Sequence, residues 1–229
     1  MLGLAFSGGK DSLACWYIYR SKDPIVFFVN TGKAYPETLA LVNEIRAECS
    51  EFIEVKTNQQ AQNDEFGLPA DCVPINHTLY GMNFTGQQTV KVQSYLGCCA
   101  ENISLPLMKA VKERGITHLI RGQRNDEAYT STVKNGDMAE GITFVQPIED
   151  WTTEQVKAFL LTQRPRLPEH FDMEHSSLDC YDCTAYACHS SDIVEWMKSS
   201  HPDLYAQYDV RWQALKSALL PTLKHFEVA

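Results

Sequence analysis

Short apolar runs alternate with stretches of helical period through the first half of the chain. Leu2–Phe6 reads as a buried strand, Ile25–Asn30 as a second and Phe52–Lys56 as a third; Thr117–Ile120 and Ile142–Val145 supply a fourth and a fifth. Between the first two strands, Asp11–Arg20 has a helical pattern. A second helix opens at Pro36, with Glu37 favourable to its dipole and Leu39, Val42, Ile45 and Cys49 on one face. Another runs from Glu101 to Arg114, closed by Gly115 in the position suited to a left-handed cap. Thr152 and Gln155 predict a capping box, with Trp151 stapling onto Val156; two further helices, Ser191–Ser199 and Asp203–Leu220, follow. The alternation predicts a doubly wound α/β fold: a mostly parallel five-stranded sheet, helices on both faces and a small helical C-terminal extension. Such sheets bind ligands beyond the carboxyl ends of their strands.

Residues 57–97 break this rhythm. They are polar, carry Gly67, Pro69, Pro74, Gly81 and Gly86, and show no sustained period, so they are expected to form a long excursion. The expected organisation is one domain over 1–184 that contains this excursion, followed by a helical extension over 185–229.

Composition narrows the function. The 229 residues are 44% apolar and 21% charged, without an apolar stretch long enough to span a bilayer. The N-terminal residues lack the basic flank of a secretory signal, so the expected location is cytoplasmic. A net charge of −9 disfavours broad nucleic-acid binding and leaves small molecules as the default ligands. Eight cysteines, in a chain expected to stay in the cytoplasm, point to metal or redox chemistry more than to disulfides.

The candidate chemistry begins at Ser7-Gly8-Gly9-Lys10-Asp11-Ser12, between the first strand and the first helix. Two glycines allow a tight turn with backbone N–H groups close to a ligand. The helix start, Lys10 and the two serine hydroxyls add donors, so polyphosphate is the natural guest. The spacing is not that of a Walker A loop, because Asp11 stands where Ser or Thr is required. The hexapeptide resembles the PP-loop of the ATP pyrophosphatases, the adenine nucleotide α-hydrolase-like superfamily. Asn30-Thr31-Gly32…Pro36-Glu37-Thr38, Gly122-Gln123-Arg124-Asn125-Asp126-Glu127 and Pro147-Ile148-Glu149-Asp150-Trp151-Thr152 resemble segments of its sulfonucleotide (PAPS/APS) reductase branch. With the cysteines below, the resemblance runs from Leu2 to Thr184. It implies nucleotide binding by Ser7, Gly8, Gly9, Lys10, Asp11, Ser12, Thr31, Gly32, Gly122, Gln123 and Arg124, with Lys10 and Arg124 as the catalytic candidates. The planar forks of Arg124 and Arg121 suit phosphate or sulfate; the alternative for Arg124 is a salt bridge to Asp126 or Glu127.

Cys98-Cys99 and Cys180-x-x-Cys183 are open to several readings: buried thiols, a structural zinc site, a vicinal disulfide, a mobile dithiol or an iron–sulfur cluster. The resemblance implies the last, a 4Fe–4S cluster on Cys98, Cys99, Cys180 and Cys183. Cys15 and Cys49 are expected as core thiols, Cys72 has no assigned role, and Cys188, followed by His189, is a candidate activated thiol.

Two departures shape the expected activity. Reductases of this branch attack the sulfonucleotide with a tail cysteine and release sulfite with thioredoxin or glutaredoxin, yet no cysteine follows Cys188. They also commonly lack the loop lysine, which is present here as Lys10. The expectation drawn from these features is ATP with Mg²⁺, cleaved to AMP and pyrophosphate to adenylylate an unknown acceptor or sulfur donor beside the cluster. The alternatives are a thiol-dependent PAPS/APS reductase with thioredoxin as partner, or a non-catalytic nucleotide or metal sensor. A homo-oligomer is compatible with all three.

Overall fold

A computed structural model describes residues 1–127, 132–173, 178, 180–186 and 191–227, the side chains of 225–227 excepted. Cys188 and His189 therefore lie outside the described residues. In chain order the strands and α-helices are β1 (Leu2–Ala5), α1 (Lys10–Tyr19), β2 (Ile25–Asn30), α2 (Pro36–Glu48), β3 (Phe52–Lys56), α3 (Gln59–Phe66), β4 (Leu68–Ala70), α4 (Leu79–Thr85), β5 (Val92–Ser94), α5 (Tyr95–Cys99), α6 (Leu105–Glu113), β6 (His118–Ile120), β7 (Met138–Ala139), β8 (Ile142–Val145), α7 (Thr153–Gln163), α8 (Ser191–Ser200) and α9 (Pro202–Glu227).

The described residues form two compact units: Met1–Asn30 with Ala34–Lys56 and Leu105–Leu178, and Thr31–Lys33 with Thr57–Ser104 and Asp179–Ala229. This division does not follow the expected boundary at residue 184; the excursion and the C-terminal helices share one unit.

The first unit holds a six-stranded sheet in the order β3-β2-β1-β6-β8-β7, parallel except at the β7–β8 edge. The expected sheet had five strands. The sixth, Met138–Ala139, is two exposed residues long, too short to impose a period of two on the sequence. Strand alternation divides the core between two faces. Leu4, Val26, Phe28 and Ile120 meet Leu13 and Trp16 of α1, Val42 and Ile45 of α2, and Val156 and Leu160 of α7. Phe27, Leu119, Ile142 and Phe144 point the other way and meet Val111 of α6.

Local signals hold at several ends. Pro36 starts α2, the Thr152–Gln155 box caps α7, and Gly115 takes a φ of 66° just after α6. The buried face of α2 is Thr38, Leu41, Val42 and Ile45, and Leu39 lies off it. The helix expected over Glu101–Arg114 is regular only from Leu105, after a π turn at Ala100–Ser104.

The second unit corrects the picture of an irregular excursion. It contains α3, α4 and a parallel β4–β5 pair, with α8 and α9. These elements escaped notice because they are short and because α3 buries Gln59 and Asn63 where a core helix would bury hydrocarbon. A small apolar cluster joins Ala70 and Val92 to Leu215 and Ala218 of α9. No helix among the described residues is long and apolar enough to cross a membrane.

Candidate functional site

In the first unit the chain leaves β1 at Ala5 and enters α1 at Lys10 through a turn that only glycine accommodates. Gly8 has a φ of 81°, and a Cβ there would stand 2.7 Å from Thr38 Cγ2. The two serines lock the turn: Ser7 Oγ and Ser12 Oγ are 3.2 Å apart, and Ser12 Oγ donates to the Gly9 carbonyl at 3.0 Å. Gly9, the N-cap, brings no side-chain acceptor to the first turn of α1. The N–H groups of that turn have no acceptor within the helix, which is the arrangement that attracts anions.

The opposite wall comes from the end of β6, the parallel neighbour of β1. Gly122 comes so close to α1 that a Cβ would stand 2.7 Å from the Asp11 carbonyl carbon and 2.8 Å from the Ser12 nitrogen. The strand order reverses here, since β2 lies on one side of β1 and β6 on the other. A cleft at the carboxyl ends of strands at such a switch point is the favoured ligand position of open parallel sheets.

The resulting pocket measures about 280 Å³, and Ser7, Lys10, Asp11, Arg121, Gln123 and Glu127 are among its lining residues. Lys10 is nearly buried, its Nζ 3.0 Å from Asp11 Oδ2. Asp11 Oδ1 is 2.8 Å from Arg124 Nε, and Arg124 Nη1 is 2.5 Å from Asp126 Oδ1. Asp11 thus pairs with two cations, of which Lys10 lines the pocket and can meet an incoming anion. Arg124 is buried by this pairing and is not on the pocket wall; Arg121 is the arginine that lines it. Burial lowers the Arg121 pKa, against the charge of Glu127. Burial also raises the Glu127 carboxyl, with neighbouring Asp11 adding to the rise, while the Arg124 N–H and the charges of Arg124 and Lys10 oppose it. Glu127 further accepts from Gln123 Nε2. In the sequence Glu127 closed the family-like segment that starts at Gly122 and stood as a salt-bridge alternative for Arg124, with no ligand role assigned to it.

Thr31, Gly32 and the four candidate cysteines belong to the second unit. Thr31 is buried with its Oγ1 3.3 Å from Cys180 Sγ, and the Tyr181 N–H donates to the Lys33 carbonyl at 2.9 Å. The Cys180–Cys183 segment closes as a turn, the Cys183 N–H donating to the Cys180 carbonyl at 3.0 Å. Thr184 anchors it by donating to the Pro69 carbonyl at 2.7 Å. Cys98, on α5, is buried; its Sγ is 3.5 Å from Asn63 Oδ1 and receives Asn102 Nδ2 at 3.7 Å. Burial raises the Cys98 thiol pKa, and the Gln59 and Asn102 side chains oppose that rise. Among the described residues no three His, Cys, Asp or Glu side chains are grouped to hold a metal ion. The four cysteines share a unit.

The phosphoadenosine phosphosulfate reductase domain matches residues 2–186. The chain belongs to this family. Among relatives of the phosphoadenosine phosphosulfate reductase domain, the adenosine 5′-phosphosulfate reductase of Deinococcus radiodurans is 29% identical over 164 residues, covering 69% of this chain and 56% of that protein. Those of Burkholderia cepacia and Allochromatium vinosum are 27% and 24% identical, covering 76% and 81% of this chain and 66% and 68% of theirs. The match thus spans under two thirds of the Deinococcus radiodurans and Burkholderia cepacia proteins. The phosphoadenylyl-sulfate reductase of Candida auris, solved as a phosphate complex, superposes with a TM-score of 0.52 at 18% identity, covering 78% of this chain and 80% of that one, and shares the α/β fold.

Proposed function

We propose that the chain is a thiol-dependent sulfonucleotide reductase of APS or PAPS, with the nucleotide's anionic groups held at the β1–α1 pocket. What supports this most is the coincidence of the family match over residues 2–186 with a glycine-turned, cation-lined pocket at the strand ends. Lys10, Arg121 and the first turn of α1 supply donors in fixed positions, and the buried surroundings strengthen each of them. Arg124 acts through Asp11, holding that carboxylate beside Lys10.

In this reaction a thiolate attacks the nucleotide's sulfur. A sulfur–sulfur bond forms while the bond from sulfur to the phosphate oxygen breaks, and AMP or its 3′-phosphate leaves with the electron pair. A thioredoxin dithiol then attacks the enzyme-bound sulfur, frees sulfite and the protein thiol, and becomes a disulfide. Cys188 is the proposed nucleophile, as a thiol that His189 directly follows in the sequence. Sulfite release from APS or PAPS with reduced thioredoxin is expected in the wild type and absent in Cys188→Ala. Sulfite from the variant would remove Cys188 from the role, and none from the wild type would remove the reductase.

Lys10 favours a second reading, ATP with Mg²⁺ cleaved between its α and β phosphates, because the lysine sits against the pyrophosphate-type turn with both serines in place. Pyrophosphate release from ATP that disappears in Lys10→Ala supports it. A 4Fe–4S cluster would be held by Cys98, Cys99, Cys180 and Cys183, which share the second unit, and no step is routed through it. Iron and acid-labile sulfide in anaerobically purified protein test for it, and a colourless or zinc-loaded protein overturns it.

A further inference from the structure

Glu127 puts a carboxyl group where the ligand proposed above brings more negative charge. It lines the β1–α1 pocket together with Lys10, Asp11, Arg121 and Gln123. Its two oxygens have different surroundings. Oε2 accepts from Gln123 Nε2 and from the Arg124 N–H, the latter with N···O 3.3 Å, so its own segment holds that side of the carboxyl. Oε1 has no hydrogen-bond partner among the described residues, and it is not one of the polar atoms sealed from solvent. It is the oxygen left for a ligand. The charged groups that face Glu127 are Lys10 and Asp11 from α1, and Arg121 and Arg124 from the segment after β6. Each is engaged elsewhere. Lys10 pairs with Asp11, Arg124 pairs with Asp11 and Asp126, and Arg121 lies over the Phe144 ring, 5.6 Å from its centre.

The phosphosulfate group of APS or PAPS carries no proton near neutral pH, so all its oxygens are acceptors. An ionised carboxylate opposite them would set anion against anion. The contact becomes favourable when one proton lies between the two oxygens. Burial raises the Glu127 carboxyl pKa, with Asp11 adding to the rise, while the Arg124 N–H and the charges of Arg124 and Lys10 oppose it. We infer that Glu127 contacts the ligand as the neutral acid, donating Oε1–H to an oxyanion oxygen while Oε2 stays with Gln123 and Arg124. Nucleotide binding then draws one proton from solvent onto Glu127 wherever the empty pocket holds it ionised. The inference rests on this pocket being the sulfonucleotide site.

The test is calorimetric titration of the full chain with APS, free of divalent cations, over a pH series in pairs of buffers that differ in ionisation enthalpy. The wild type should take up no proton at the acid end and about one per bound APS at the alkaline end, where affinity should fall about tenfold per pH unit. Glu127→Gln sets a neutral amide donor in the same place. It should bind APS without proton uptake and, at the alkaline end, more tightly than the wild type. Glu127→Ala should also take up no proton, and should bind about tenfold or more weakly than Glu127→Gln because the donor is gone. A purely structural role would weaken both variants and give no uptake in the wild type. Wild-type binding without uptake at any pH, uptake that persists in Glu127→Gln, or no APS binding overturns the inference. Where neither variant folds, the wild-type uptake decides. Proton-linked APS binding without sulfite release would overturn the reductase and leave this inference standing; sulfite release without proton-linked binding would do the reverse.

Discussion

The two units exclude water by different means. The first encloses a sheet between hydrocarbon layers, with Leu4, Leu13, Ile45, Leu160 and Phe171 fully buried, and gathers its buried charges, Lys10 and Arg124, beyond the strand ends. The second has the small cluster of Ala70, Val92, Leu215 and Ala218, and fills much of its interior with amides and charges: Gln59, Asn63, Asn102 and Asp182. Hydrocarbon burial is non-directional and tolerates imperfect fit, whereas buried amides and ion pairs stabilise only when each donor meets an acceptor. In the first unit the scaffold and the site are separate parts. In the second, buried polar groups such as Asn63 and Asp182 themselves hold the fold, so its stability should depend more on the geometry of each pairing.

Core truncation probes this contrast most strongly. Phe171→Ala in the first unit should cost about 3–5 kcal/mol, and Leu215→Ala in the second about 2 kcal/mol, because a small cluster can collapse around the lost volume. Urea unfolding of both variants measures the difference, and equal losses would break the comparison. Next in size is Gly122→Ala, whose Cβ meets the backbone of α1 and which should lower stability by about 1–3 kcal/mol and abolish nucleotide binding. Calorimetric titration together with a thermal melt checks it; unchanged nucleotide affinity would remove the β1–β6 cleft as the site.

Lys10→Ala should weaken nucleotide binding by about 1.5–3 kcal/mol, the worth of a hydrogen bond to a charged group. A larger loss for ATP than for APS would sharpen the case for pyrophosphate at this turn, and an equal loss would favour the sulfonucleotide. The smallest effect is a pH slope. Burial raises the Glu127 carboxyl above the ordinary carboxylate range, so protonation at falling pH removes a negative charge from the pocket. Anion affinity should therefore strengthen as pH falls through that raised value, and Glu127→Gln should flatten the slope in a binding titration. The same sign holds for stability: a carboxyl raised in the folded state contributes most below its unfolded pKa and loses that contribution as pH rises through the folded one.

The first unit was largely legible. Strands β1, β2, β3, β6 and β8 announced themselves as short Val-, Ile- and Phe-rich runs, and Pro36, Gly115 and the Thr152–Gln155 box marked helix ends by local chemistry. The PP-loop segment was equally visible, because a turn needing a φ of 81° must be written with glycine. In the second unit the two C-terminal helices were legible, expected over Ser191–Ser199 and Asp203–Leu220 and found as α8 and α9. Helices α3 and α4 were not, since both are short and α3 buries polar residues where periodicity looks for hydrocarbon. Arg121 and Arg124 show the same limit within the site. Both are arginines after a strand, and only their neighbours distinguish the one on the pocket wall from the one bound to Asp11 and Asp126.

The amino-acid order alone determined the α/β alternation, the glycine turn before α1 and the family segments, because each depends on residues close together in the chain. Tertiary structure decided which charged groups face a ligand and which face each other. Lys33, Asp182 and Arg211 are far apart in sequence, and neither their shared buried carboxylate nor the unpaired guanidinium edge beside it exists until folding brings them within hydrogen-bond reach. Electrostatic attraction in a desolvated interior is set by distances of a few ångströms, and those distances are fixed by packing.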